Sequence, residues 1–97
     1  MNFSLHPGAQ NDVADALDFY RERAGVAVAE RFLDEFERVV ALLERHPAFG
    51  TPTTRGRRSY PLKLFPYSVV YRPMDNEIRI LIVRHQHRRP DYAGGRR

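Results

Sequence analysis

Two histidines, three arginines and a tyrosine crowd into one short stretch, at Arg84, His85, His87, Arg88, Arg89 and Tyr92. An imidazole titrates near neutrality and can therefore trade protons at ordinary pH. A guanidinium is a planar fork that grips phosphate or carboxylate through paired hydrogen bonds. Grouped with a tyrosine ring, these types suit the gripping of something acidic, whether nucleic acid or an acidic peptide. A metal fits them poorly, because His85 and His87 have no third ligand nearby in sequence and metal sites take three or four. No metal or cofactor is expected.

Strands must deliver this cluster. Residues 67 to 72 and 77 to 85 are rich in Val, Ile and Tyr, and Met74, Asp75 and Asn76 between them read as a tight turn. Strict alternation places Ile78, Ile80 and Ile82 on one face and Arg79, Leu81, Val83 and His85 on the other. Tyr67 and Tyr71 share a face, which predicts a core position for at least one. A third strand is expected over residues 58 to 64, where Pro61 implies an edge or a bulge. Residues 47 to 58, with Pro47, Gly50, Pro52 and Gly56, read as a turn-rich loop.

The first half supplies helices. Residues 2 to 6 alternate like a short strand, and Pro7 suits a first helical position. Val13, Ala16, Leu17, Tyr20 and Ala24 recur at helical spacing, Asp12, Asp15, Asp18 and Glu22 fill the other positions, and Gly25 is a stop. Phe19 sits off that stripe. A second helix carries Ala29, Phe32, Leu33, Phe36, Val39, Val40 and Leu43, with Asp34 and Arg38 as an i,i+4 ion pair, and ends at His46 and Pro47. So short a link forces the helices antiparallel, and their apolar stripes need a sheet to cover them. The class is α+β: a short N-terminal strand, an antiparallel helical hairpin, then a three-stranded antiparallel meander forming a small twisted sheet on that hairpin. One domain over residues 1 to 97 is expected, with residues 93 to 97 frayed.

Charge divides the chain. Residues 1 to 50 hold five Lys and Arg against nine Asp and Glu, while residues 51 to 97 hold eleven against three. The second half is thus strongly basic, and all but one of its cations are arginine. Cysteine is absent, which excludes disulfides, thiolate metal sites and a cysteine nucleophile. Without a long apolar run or a signal-peptide pattern, no membrane partner is expected and a cytoplasmic location is the default.

The order of these pieces resembles the ParE/RelE toxins of bacterial type II toxin–antitoxin modules. The resemblance is carried by Asp18, Phe19 and Tyr20 ending an acidic helix, by Arg31 to Phe36 with His46 and Pro47, and by Arg57 and Arg58. It continues through Phe65, Pro66, Tyr67 and Ser68 to Arg72, and ends on His85, Arg88, Arg89, Pro90 and Tyr92. It implies a small toxin neutralised by an acidic antitoxin that folds as it binds, in a toxin–antitoxin hetero-oligomer. Members resembling ParE poison DNA gyrase, whereas RelE-like members cut mRNA on the ribosome.

Cutting RNA needs a base on the 2′-hydroxyl, a cationic phosphate clamp and an acid for the leaving oxygen. On the ribonuclease reading His85 or His87 would be base or acid, Arg88 or Arg89 the clamp, and Tyr92 a stacking group or proton donor. Against it, RelE-like ribonucleases place a catalytic arginine where this chain has Ser68, and a neutral hydroxyl cannot hold a phosphate charge. The reading placed first is therefore a gyrase-poisoning toxin without a catalytic set, the ribosome-dependent endoribonuclease being the alternative. Antitoxin or target binding is assigned to Arg57, Arg58, Lys63, Arg72, Arg84, Arg88, Arg89 and Tyr92. A plain nucleic-acid-binding module ranks third, since both helices are too acidic to read a groove.

Overall fold

A computed structural model describes residues 2 to 87 and 92 to 97. In chain order it contains β1 (Asn2–Leu5), α1 (Pro7–Ala24), α2 (Val26–Arg45), β2 (Thr51–Pro52), β3 (Arg58–Pro61), β4 (Tyr67–Pro73) and β5 (Glu77–His85). The strands form one mixed sheet in the order β1-β5-β4-β3-β2. The predicted meander is its centre. Two additions flank it: β1 lies parallel to β5, and β2, inside the stretch read as a loop, pairs antiparallel with β3.

Each helix boundary has a local cause. Pro7 opens α1, needing no N–H there, and His6 caps it by accepting the Gly8 N–H at Nδ1 (2.9 Å). Gly25 is the whole link to α2. Its φ of 95° lies where side chains are disfavoured, and its N–H closes α1 on the Arg21 carbonyl. The α2 stripe behaves as read: Phe32, Phe36, Val39, Val40 and Leu43 are buried against Val69, Tyr71, Ile78, Ile80 and Val83 of the sheet. Truncating Phe32 in such surroundings costs about 3–5 kcal/mol. Arg38, however, pairs with Glu35 (2.7 Å) rather than Asp34, because Glu35 is also drawn toward the sheet by the Lys63 N–H (2.6 Å).

Tyr71 is the fully buried member of the tyrosine pair. Its hydroxyl accepts the Gly50 N–H (3.0 Å) and donates to the Pro47 carbonyl (2.6 Å), pinning the loop after α2 to the sheet. Burial pushes its pKa up. A Cβ at position 50 would come within 2.7 Å of that hydroxyl, so glycine is required by close approach. Pro61 sits past the two residues of β3 that β2 covers, where an N–H would have no strand partner.

The alternation read along the last strand does not hold. Val70 faces Ile82 while Tyr71 faces Ile80, so Leu81 is an extra residue, a β-bulge. Ile78 and Ile80 face the helices, Leu81 and Ile82 both join Val70 on the opposite face, and Val83 returns to the helix side. Ile82 therefore does not share a face with Ile78 and Ile80. The face away from the helices, the outer face, carries Val70, Leu81 and Ile82.

Candidate functional site

Alternation at the end of β5 separates groups that chemistry would need together. His85 lies on the helix side, edge-on to the Tyr67 ring at 5.2 Å between centroids. His87 follows at 5.0 Å from the His85 ring, its N–H donating to His85 Nδ1 (3.2 Å). Asp12, Asp15, Phe19, Tyr67, His85 and Tyr92 line a small cleft of about 170 Å³ between α1 and the sheet. Arg84, opposite Ser68, is on the outer face. Arg88 and Arg89 lie outside the described residues. Imidazole and tyrosines thus share a cleft with two carboxylates, one of them the exposed Asp15, while Arg84 and Arg72 stand on the other side of the sheet.

A different group of residues converges closely, and sequence reading missed it. Strand β1 covers the edge of β5 only as far as Leu5 beside Ile80, with the His6 N–H reaching the Ile80 carbonyl (2.8 Å). Beyond that point the edge still carries polar groups that need partners. Asp12 supplies one by accepting the Val83 N–H (3.0 Å), and Arg96 another by donating to the Leu81 carbonyl (3.1 Å). The two side chains then pair with each other at 2.6 Å, and the Tyr92 hydroxyl donates to Asp12 (3.2 Å). Asp12 is only 7% exposed. A charge buried this way is tolerable because it is both paired and hydrogen-bonded, and removing one partner leaves the other uncompensated. Gly8 leaves room, since a Cβ there would fall 2.4 Å from the Arg96 guanidinium.

The tail expected to fray is accordingly fastened. Arg57, 6% exposed, donates to the carbonyls of Gly94 (3.0 Å) and Arg96, and Arg55 donates to Gly94 as well (2.8 Å). Tyr92 and Ala93 pack on Val70, Leu81 and Ile82 of the outer face. Burial, and then the nearby Arg72 and Arg55, lower the pKa of Arg57. Its Nε is buried without a hydrogen-bond partner. One signal for Asp12 was in the sequence: Ala9, Asp12 and Ala16 fall at i, i+3 and i+7, on one stripe of α1. Arg96 left no comparable signal.

The other binding candidates scatter. Arg58 donates to the Ala48 and Gly50 carbonyls (3.1 and 2.8 Å), bracing the loop that Tyr71 also holds. Arg72 stands directly opposite Arg79 in the β4–β5 register, two like charges on the outer face. Such a pairing is unfavourable unless acceptors answer it, and Arg79 donates to the Arg97 carbonyl (3.4 Å) and the Ser4 hydroxyl (3.3 Å). Lys63 is exposed on the turn between β3 and β4. On the helix side an apolar groove of about 440 Å³ runs between α1, α2 and β1, floored by Leu5, Val13, Leu33, Phe36 and Val40, with the half-exposed Phe3 at its side and Glu37 and Glu44 on its rim. Among the described residues no helix is long and apolar enough to cross a membrane.

Comparison with known proteins agrees with this architecture. Among solved structures, the fold is similar to one titled "Chromosomal ParDE TA system from P. aeruginosa", with a TM-score of 0.79 and 24% identity over 88% of this chain and 95% of that one. No curated protein matches the chain. The family model described as the ParE toxin of type II toxin–antitoxin system, parDE, matches residues 3–92. The chain belongs to the ParE toxin family.

Proposed function

We propose that this chain arrests growth by poisoning DNA gyrase and is held inactive by an antitoxin encoded beside it, in the cytoplasm. The observation that carries the choice of gyrase over mRNA is the split at the end of β5. A phosphate cleaved in the His85 cleft would meet the carboxylate of Asp15, while Arg84, opposite Ser68, sits across the sheet. Arg96, which reaches the cleft wall at Asp12, is already bound to that carboxylate. Among the described residues no lysine or arginine lines that cleft, where cleavage would need a cation to stabilise the phosphate.

The antitoxin reading draws on two surfaces of opposite character. The outer face, with Arg72 opposite Arg79, suits acidic side chains. The helix-side groove, apolar but rimmed by Glu37 and Glu44, suits an apolar segment carrying lysine or arginine at its flanks. Arg57 is not offered to this partner, its guanidinium being taken up by the tail.

Purified toxin is expected to inhibit supercoiling by gyrase in a dose-dependent way, to leave ribosome-associated mRNA intact, and to lose the inhibition on adding the antitoxin. Ribosome-dependent mRNA cleavage with normal supercoiling would replace this reading with the ribonuclease one.

A further inference from the structure

The turn between β3 and β4 contains a residue that the fold does not use. Leu64 is 99% exposed and has a φ of 68°, in the left-handed region that leucine avoids. A leucine there neither gains burial nor relaxes the backbone. Asparagine or glycine would suit the same position better on both counts.

Everything around Leu64 is nonetheless firmly held. Leu62 on one side is buried in the core, and Phe65 on the other packs edge-on against Tyr20 (5.2 Å) and Phe32 (5.3 Å). Between them the Lys63 N–H donates to Glu35 of α2 (2.6 Å), and the Leu62 N–H closes the turn on the Tyr67 carbonyl (2.9 Å). The leucine is thus presented on a rigid mount, which lowers the entropy lost when a partner takes it. Leu64 flanks a shallow groove against α2 that also holds Asp34 and the paired Glu35 and Arg38, and the exposed cations Lys63 and Arg31 there make no salt bridge among the described residues.

We propose that this turn is the knob by which the toxin engages its target: Leu64 inserts into an apolar socket, rimmed by carboxylates, on a folded protein. The convex, pre-set shape selects the kind of partner. An antitoxin that folds as it binds is suited to long grooves and edges such as the helix-side groove floored by Leu33 and Phe36, whereas a projecting, pre-set leucine needs a socket that already exists. Backbone strain retained at an exposed side chain is also the mark of a site kept for contact rather than for stability. The inference rests on the reading of the chain as a toxin with a protein target, and it names the surface that reaches the target.

The test compares wild type with Leu64→Asn and with the charge reversals Arg31→Glu and Lys63→Glu. The measurements are thermal unfolding, affinity for the antitoxin, growth arrest on induction and inhibition of gyrase supercoiling. Leu64→Asn is expected to raise Tm by about 4 °C, to leave antitoxin affinity unchanged, and to weaken both arrest and inhibition by about ten-fold or more. The charge reversals should weaken them less, and more so at low salt. Undiminished potency of Leu64→Asn would overturn the proposal, as would a lowered Tm or a parallel loss of antitoxin binding. A wild-type toxin that arrests growth without inhibiting gyrase would sink the gyrase assignment alone, and loss of arrest in Leu64→Asn would still support the knob.

Discussion

The C-terminal clamp and the β3–β4 turn invert the usual placement of residue types. In the clamp, Asp12, Arg57 and Arg96 are drawn inward, where they complete the edge of β5 and fasten residues 92 to 97. At the turn, a leucine is pushed outward while its neighbours anchor it. The charged residues of the first region serve the fold, although charge alone would have assigned them to a partner. The apolar residue of the second serves nothing inside the molecule. Residue type is therefore a poor guide to function here, and the guide that works is whether a side chain's interactions are satisfied within the chain.

Mutation should separate the two regions sharply. Asp12→Ala strands the Arg96 guanidinium and the Val83 N–H together, and a loss of about 3 kcal/mol is expected on denaturant unfolding. Hydrogen exchange at Val83 should accelerate with it. Arg96→Ala should approach the same loss, and the double variant should lose less than the two single losses combined, because the second removal has no partner left to strand. A double variant losing the full sum would show that the pair does not act as a unit.

Arg57→Ala comes next, with about 1–2 kcal/mol expected from the Arg96 carbonyl left without this donor and the Gly94 carbonyl left to Arg55 alone. Limited proteolysis after residue 93 should speed up at the same time. At the turn the sign reverses: Leu64→Asn should gain about 1 kcal/mol by relaxing the left-handed backbone. A loss there would erase the contrast between the regions.

The smallest effects are in pH dependence, and they too differ by region. His6, which caps α1, has its pKa lowered from 6.5 by burial and then by Arg79 and Arg96 of the clamp side. Its contribution to stability is complete above pH 6.5 and is lost as the pH falls through the lowered value. Glu35, which holds the turn, is kept below its ordinary 4.5 chiefly by its hydrogen bond with Arg38 and further by the Lys63 N–H. That contribution is present above pH 4.5 and disappears as the pH falls through the folded value. His6→Asn, which retains a capping acceptor, should flatten the upper window, and Glu35→Gln the lower one.

How much of this was legible from residues alone follows the same division. Helical spacing in α2, Pro7 and Gly25 at the ends of α1, and the turn at residues 74 to 76 are local signals, and the structure agrees with each. Asp12 was misplaced because an aspartate on an amphipathic helix ordinarily faces water, and its burial depends on Arg96 arriving from 84 residues away. Two glycines before Arg96 read as fraying, since no local pattern shows that Arg57 will hold their backbone. The bulge at Leu81 was hidden for a related reason: it is a property of how β4 and β5 match, and either strand alone reads as regular. Of the candidate site, His85 and Tyr92 line one cleft, while Arg84, grouped with them by sequence distance, lies on the other face, and Arg88 and Arg89 fall outside the described residues.

The bulge has a consequence for how chemistry could be gained or lost on this scaffold. With Leu81 deleted, β4 and β5 would pair without interruption, and because Leu81 and Ile82 both take the outer face, Arg84 would stay beside Ser68 on that face and His85 on the helix side. Forced into strict alternation with Leu81 kept, the same strand would instead turn His85 outward and Arg84 toward α1. The bulge thus absorbs one residue without exchanging the imidazole and the guanidinium between faces, so two chains that differ here by one inserted residue can keep the same reactive layout when a bulge takes it up.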